Sequence, residues 1–128
     1  MNEVFLVAAT VYVALIGLFL GSFINLAADR VPRGESVVSP RSHCRACGRV
    51  LDAVDLLPVL GYLIRGGRCA SCRAPIGAGQ PIVELVAGST MLVPVLVVGL
   101  WPGALIGLAA TAILGAAIVT AARRRAQT

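Results

Sequence analysis

Apolar positions fall in three long runs along this chain, and polar positions crowd between the first and second. Residues 4–28 form a long apolar run, and roughly 20 helical residues suffice to cross a bilayer. Residues 82–100 and 103–122 form two further runs of that kind. The pattern predicts an all-α membrane protein with three transmembrane helices and an irregular loop between the first and second. The units are a first span over 1–28, a loop module over 29–81, a second span over 82–100, a third over 103–122 and a tail over 123–128.

A removable signal peptide does not fit the first run, because the only charge ahead of it is Glu3 and the run exceeds an ordinary signal core. Gly17 and Gly21 are spaced to let another helix approach closely, as are Gly103 and Gly107, although glycine is common in membrane helices anyway. Ser22, Asn25 and Asp29 stand at i, i+3 and i+7, which places three polar groups on one helix face beside the loop. Such groups face protein or water and not lipid.

The loop contains Pro32, Pro40, Pro58, Pro75 and Pro81, so long regular elements are excluded there. Only 51–64 is apolar enough for a short helix or paired strands, interrupted at Pro58. Pro94 falls inside the second run, where membrane helices tolerate it. Trp101-Pro102 is the expected turn between the second and third spans, with Trp101 at the membrane interface.

Composition strengthens this reading. Of 128 residues, 58% are hydrophobic and 13% charged, against about 25% charged in a soluble domain. The net charge of +5 comes from eleven arginines and no lysine, eight of them between Arg30 and Arg73 and three at Arg123, Arg124 and Arg125. Two blocks separated by apolar spans suit control of membrane topology better than nucleic-acid binding. Basic loops stay inside, so the loop and C-terminus are expected to be cytoplasmic and the N-terminus outside.

The candidate chemistry is in the loop. Cys44-x-x-Cys47 and Cys69-x-x-Cys72 are separated by 21 residues, the two-knuckle spacing of a tetrahedral four-cysteine zinc site. With four protein ligands no position is left for a catalytic water, so the metal would be structural. Two disulfides are the alternative, and the cytoplasmic placement argues against them. His43 adjoins the first cysteine and is expected to stay outside the metal set. Arg30, Arg33, Arg41 and Arg68 either form a basic pocket for a carboxylate or phosphate or face anionic headgroups, the latter favoured from charge alone. Glu84 lies just inside the second span and needs a loop arginine or a route to the interface.

These residues resemble the N-terminal domain of bacterial type IV prepilin peptidases, the leader peptidase/N-methyltransferase family. Gly21-Ser22-Phe23-Ile24-Asn25 followed by Arg30-Val31-Pro32-Arg33-Gly34-Glu35-Ser36 is similar to its first signature, and Pro40-Arg41-Ser42-His43-Cys44-Arg45-Ala46-Cys47 to its second. Leu57-Pro58, Gly67-Arg68-Cys69-Ala70-Ser71-Cys72, Pro75-Ile76 and Pro81-Ile82-Val83-Glu84-Leu85 follow in order. The resemblance implies zinc on Cys44, Cys47, Cys69 and Cys72. It implies a methylation or structural motif at Asn25, Arg30, Pro32, Ser36, Arg41, Ser42, Arg68 and Glu84, with S-adenosylmethionine as methyl donor, in a bacterial inner membrane. Gly61 and Gln80 depart from the family, which commonly has Ser and Tyr there.

The family's peptidase activity needs two membrane-embedded aspartates. Neither is among the six acids of this sequence, and Ala121 stands about where the first would be. The expectation is therefore a stand-alone N-terminal module that acts on prepilins or pseudopilins in type IV pilus or type II secretion assembly by methylating or positioning them. It would not cleave leaders alone, and a separate aspartyl peptidase core would do so. The competing expectation is a non-catalytic zinc scaffold or relic that binds such a core. A zinc ribbon on nucleic acid ranks last, because the loop has few aromatic residues to stack on bases.

Overall fold

The computed structural model describes residues 2–128, and among these it is helical with no strand. Helix α1 spans Glu3–Arg30 and continues as a 3-10 turn over Val31–Arg33. Its start is capped by Asn2, whose side chain accepts the Val4 N–H at 3.1 Å. A short α2 covers Leu60–Ile64, α3 covers Gly79–Val98 and α4 covers Leu100–Gln127. Helices α1, α3 and α4 are each long and apolar enough to cross a membrane. Phe19, Phe23, Leu96, Leu105 and Ile113 stay more than half exposed on the outside of the bundle, as lipid-facing side chains do.

Observed and expected boundaries differ in one instructive place. The break between α3 and α4 is the single residue Gly99, at φ 93°, and Trp101-Pro102 lies within the first turn of α4. Proline costs no hydrogen bond in a first turn, whereas the backbone at Gly99 adopts a φ that favours glycine. The helix also continues past residue 122 through the three arginines to Gln127.

Glycines set the distance between helices. A Cβ on Gly17 would meet Ala87, Gly88 and Met91 of α3, and one on Gly21 would lie 2.6 Å from the Cα of Glu84. Gly103 and Gly107 make equivalent approaches to Val95 and Met91, and Gly115 faces Ile24. The sequence order of these contacts makes α3 antiparallel to both α1 and α4. Both arginine blocks therefore lie at one end of the bundle, the end that carries the loop. The opposite part of the core is Val13, Met91 and Val95, surrounded by Ile16, Leu20, Leu100 and Ala104.

Candidate metal centre and cavity

Each Cys-x-x-Cys pair sits on a tight turn, and the two turns share one backbone pattern. The Cys44 N–H donates to the Arg49 carbonyl at 2.8 Å and the Cys69 N–H to the Ala74 carbonyl at 2.9 Å. Isolated antiparallel bridges His43–Val50 and Arg68–Pro75 close the two turns. Both turns need a positive φ after the second cysteine: Gly48 supplies it at 75°, and Arg73 adopts it at 60° despite its side chain.

The turns face each other so that all four Sγ atoms lie within 4.8 Å of one another. Sγ of Cys44 and Cys72 are 3.8 Å apart and those of Cys47 and Cys69 are 3.9 Å apart. A tetrahedron of sulfurs at about 2.3 Å from a zinc ion has edges of about 3.8 Å, whereas a disulfide would bring a pair to about 2.05 Å. The four cysteines are free, and their spacing fits a closed four-coordinate metal ion and not two disulfides. Backbone N–H groups of Cys72 and Ser71 draw the Cys69 thiol down to about 6. The Ala74 N–H favours the Cys72 thiolate too, but desolvation and the sulfurs of Cys47, Cys69 and Cys44 push that thiol up to about 11. Four thiolates at such distances repel, and a divalent cation removes the conflict. His43 stays outside the set, its Nδ1–H donating to the Arg41 carbonyl at 3.0 Å.

Beneath the two turns lies a cavity of about 380 Å³. Its floor is the loop-side end of the bundle, with Ser22, Asn25 and Asp29 from α1 and Gln80 and Glu84 from α3. The polar face of α1 anticipated from its spacing thus lines this cavity. One wall is Leu57, Gly61 and Tyr62 around α2, and the roof includes Ser42, Cys44 and Cys69. Asn25 Nδ2 donates to the Gln80 carbonyl at 2.9 Å, tying α1 to the start of α3. Gly61 has no room for a side chain, because a Cβ there would meet the Val54 and Asp55 carbonyls.

The arginines do something other than expected. Arg30 is only 3% exposed, and its guanidinium donates to the carbonyls of Ser36 at 2.7 Å and Pro40 at 2.8 Å. It neither faces lipid nor offers free charge to a ligand, because a buried guanidinium needs acceptors and the loop backbone supplies them. Pro32 shapes the 3-10 turn, and Ser36 Oγ accepts the Val38 and Ser39 N–H groups. Arg33 pairs with Asp29 in the same helix end. Arg33, Arg41 and Arg68 are not on the cavity wall, whereas Arg45, Arg49 and Arg65 are. Of the four arginines expected to form a basic pocket, Arg30 alone borders this cavity.

Arg45 bridges Asp29 at 2.5 Å and Glu35 at 2.7 Å, and holds the Glu35 carboxyl below its ordinary range. Arg49 pairs with Asp55, and Arg65 reaches Asp55 at 2.8 Å and Asp52 at 2.7 Å. Asp52 Oδ1 also accepts the Val54 and Asp55 N–H groups at 3.0 Å. The Asp55 N–H first, and then Arg65 against some desolvation, draw the Asp52 carboxyl from 3.8 to about 2. A depressed folded-state value means that Asp52 stabilises its turn fully above pH 3.8 and loses that role as pH falls through about 2. Amide exchange should therefore find Val54 and Asp55 protected at neutral pH and increasingly open across that interval. Asp52→Asn should lower the protection at neutral pH and flatten the acid step.

Glu84 is 2% exposed and has no arginine partner. Its Oε2 accepts the N–H of Val59 at 2.7 Å. Val59 holds φ 60°, a region that costs a β-branched residue on the order of 1–3 kcal/mol. Both alternatives expected for Glu84, a loop arginine and an interfacial route, are thus replaced by a backbone amide from a strained turn. The partner was invisible in the sequence because any residue except proline can present an N–H.

Known proteins place this arrangement. Relatives named prepilin leader peptidase/N-methyltransferase include one from Myxococcus xanthus, 42% identical over 78 residues, and one from Bacillus subtilis, 42% identical over 72 residues. These alignments cover 61% and 56% of this chain but 23% and 29% of the relatives. A type 4 prepilin-like proteins leader peptide-processing enzyme from Escherichia coli is 35% identical over 104 residues, covering 67% of this chain and 38% of the relative. The chain thus spans well under half the length of these relatives. No solved structure matches. The family profile of the bacterial peptidase A24 N-terminal domain matches residues 15–98, a stretch holding both cysteine pairs, the cavity and Glu84, and the chain belongs to that family.

Proposed function

We propose that these residues form the substrate-handling module of prepilin processing, methylating or positioning the N-terminus of a type IV prepilin or pseudopilin for pilus or type II secretion assembly. The observation that carries this reading is the cavity, which lies at the loop end of the bundle directly beneath the paired cysteine turns. Zinc bound by Cys44, Cys47, Cys69 and Cys72 supplies structural cross-linking of the two turns, and the closed ligand set leaves it no catalytic water. Ser22, Asn25, Gln80 and Glu84 present polar groups to a peptide end at the membrane surface. The loop and C-terminus are cytoplasmic and the N-terminus outside, in a bacterial inner membrane, because both arginine blocks share one end of the bundle.

Leader cleavage calls for an aspartyl peptidase core that these residues do not themselves form. Asp29, Glu35, Asp52 and Asp55 are each engaged by arginine, so none forms the proton-sharing carboxylate pair that aspartyl proteolysis requires. N-methyltransferase is part of the relatives' names, S-adenosylmethionine as the donor is what the family resemblance implies, and purified protein given a cleaved pilin peptide, the core and a labelled methyl donor tests the activity. Label on the peptide N-terminus supports an enzyme; its absence with the core supplied leaves positioning. The engagement of these four loop carboxylates by arginine favours a second reading, a non-catalytic zinc scaffold for the core. Tagged protein that retains no peptidase, pilus or secretion component from membranes overturns that reading.

A further inference from the structure

The cavity is electrically closed except at one residue. Of the acids on its wall, Asp29 is paired with Arg33 and Arg45, and Asp55 with Arg49 and Arg65. Arg30, the remaining wall arginine, is spent on the carbonyls of Ser36 and Pro40. Glu84 alone among the wall acids has no cation, although it is 2% exposed. One of its oxygens is fixed by the Val59 N–H, which orients the carboxylate. A buried carboxylate held by a single neutral donor is incomplete, because burial of a charge is offset only by a counter-charge with good hydrogen-bond geometry.

The neighbouring groups narrow what that counter-charge is. Asn25 Nδ2 is committed to the Gln80 carbonyl and leaves Glu84 without a donor from that side chain. A buried carboxylate with no cation suits a compact cation with several N–H donors, and an ammonium supplies three. A guanidinium fits less well because it is planar and larger, and a metal ion because the roof thiols belong to the four-cysteine set and the other wall carboxylates are paired with arginine. A volume of about 380 Å³ is at the lower end of the range for small-molecule sites and accommodates the end of a chain.

We propose that Glu84 is the anchor for the free α-ammonium group of a peptide whose N-terminal residues enter this cavity. The proposal rests on the prepilin reading and adds to it the group that is recognised. Glu84 acts here by ion pairing, with its carboxylate accepting N–H bonds from the ammonium, and Val59 positions it. A chain that still carries its leader has no ammonium at that point and is not held. The cavity consequently selects processed over unprocessed chains.

The test uses the full zinc-loaded chain in nanodiscs with two peptides of one pilin-type mature N-terminal sequence, one with a free amine and one N-acetylated. The free-amine peptide should bind about tenfold more tightly than its acetylated twin, the scale of one charge-assisted contact. Glu84→Gln keeps the acceptor for the Val59 N–H and should abolish that difference while leaving zinc content and helicity unchanged. Equal binding of the two peptides to the unmodified protein overturns the anchor and leaves the prepilin reading standing. Persistence of the tenfold difference in Glu84→Gln also overturns it. Binding of neither peptide overturns the prepilin reading and the anchor together. The acetylation comparison needs no variant, so equal binding overturns the anchor even if Glu84→Gln fails to fold, and Glu84→Ala then serves as the second variant.

Discussion

Cys69→Ser should empty the metal site and unfold the loop module while leaving the three long helices in place. Cys69 is the most buried of the four thiols, at 5% exposure, and its sulfur lies 3.9 Å from that of Cys47. A serine hydroxyl is a poor zinc ligand at neutral pH, and loss of one thiolate should weaken zinc binding by at least about two orders of magnitude. The effect is large because the module has little regular secondary structure to hold it. Its α2 is five residues long, and the rest is turns and two isolated bridges. Structural zinc contributes on the order of 10 kcal/mol to such small units. Metal analysis with proteolysis of the loop measures both consequences, and full metal content in Cys69→Ser would contradict the assignment. Helicity should change little, because α1, α3 and α4 hold nearly all of the helix and pack directly on one another.

Gly21→Leu should separate α1 from α3 and disable the cavity at once. A Cβ at this position would stand 2.6 Å from the Glu84 Cα and 3.0 Å from the Ala87 Cβ and the Val83 carbonyl. Carbon atoms prefer about 3.5–4.0 Å, and here the obstacle is backbone, which cannot rotate away. Overpacking of this kind costs about 1–3 kcal/mol for a few added carbons, and a leucine at a helix crossing lies at the upper end or beyond. Because the clash is with Glu84 itself, the displacement should also break the Val59–Glu84 contact and the Asn25–Gln80 contact close by. Gly115→Ala is the control: its Cβ would meet only the Ile24 side chain, at 3.0 Å, and no backbone, so a much smaller loss is expected. Unfolding in mixed detergent micelles compares the two.

The difference between these glycines explains why the sequence was legible in some places and not others. Three apolar runs and two cysteine pairs carry their own meaning, since a bilayer demands length and a metal demands ligands. The glycine spacings pointed to close approach without saying which helix approached. Arg30 and Glu84 stood out as charges near a membrane, but their partners are backbone groups of Ser36, Pro40 and Val59, whose location depends on the path of an irregular loop. Arg45, Arg49 and Arg65 gave no signal because each is one arginine among eight in the same loop. What could have singled them out is the nearby supply of acids: Asp29, Glu35, Asp52 and Asp55 are the only loop-side carboxylates besides Glu84, and each takes one of these arginines. The helix break at Gly99 was masked by the more conspicuous Trp101-Pro102, yet a proline within a first turn is a start signal.

The most direct test of the account is whether a pilin N-terminus enters the cavity beneath the cysteine turns. A photo-crosslinking side chain placed at Leu57, on the cavity wall, should capture a leaderless pilin peptide in membranes. The same group at Leu105, on the exposed face of α4, should capture lipid and not peptide. Peptide capture from Leu57 that disappears when zinc is stripped is the predicted result. Equal capture from both positions, or none from Leu57 with zinc bound, would contradict it.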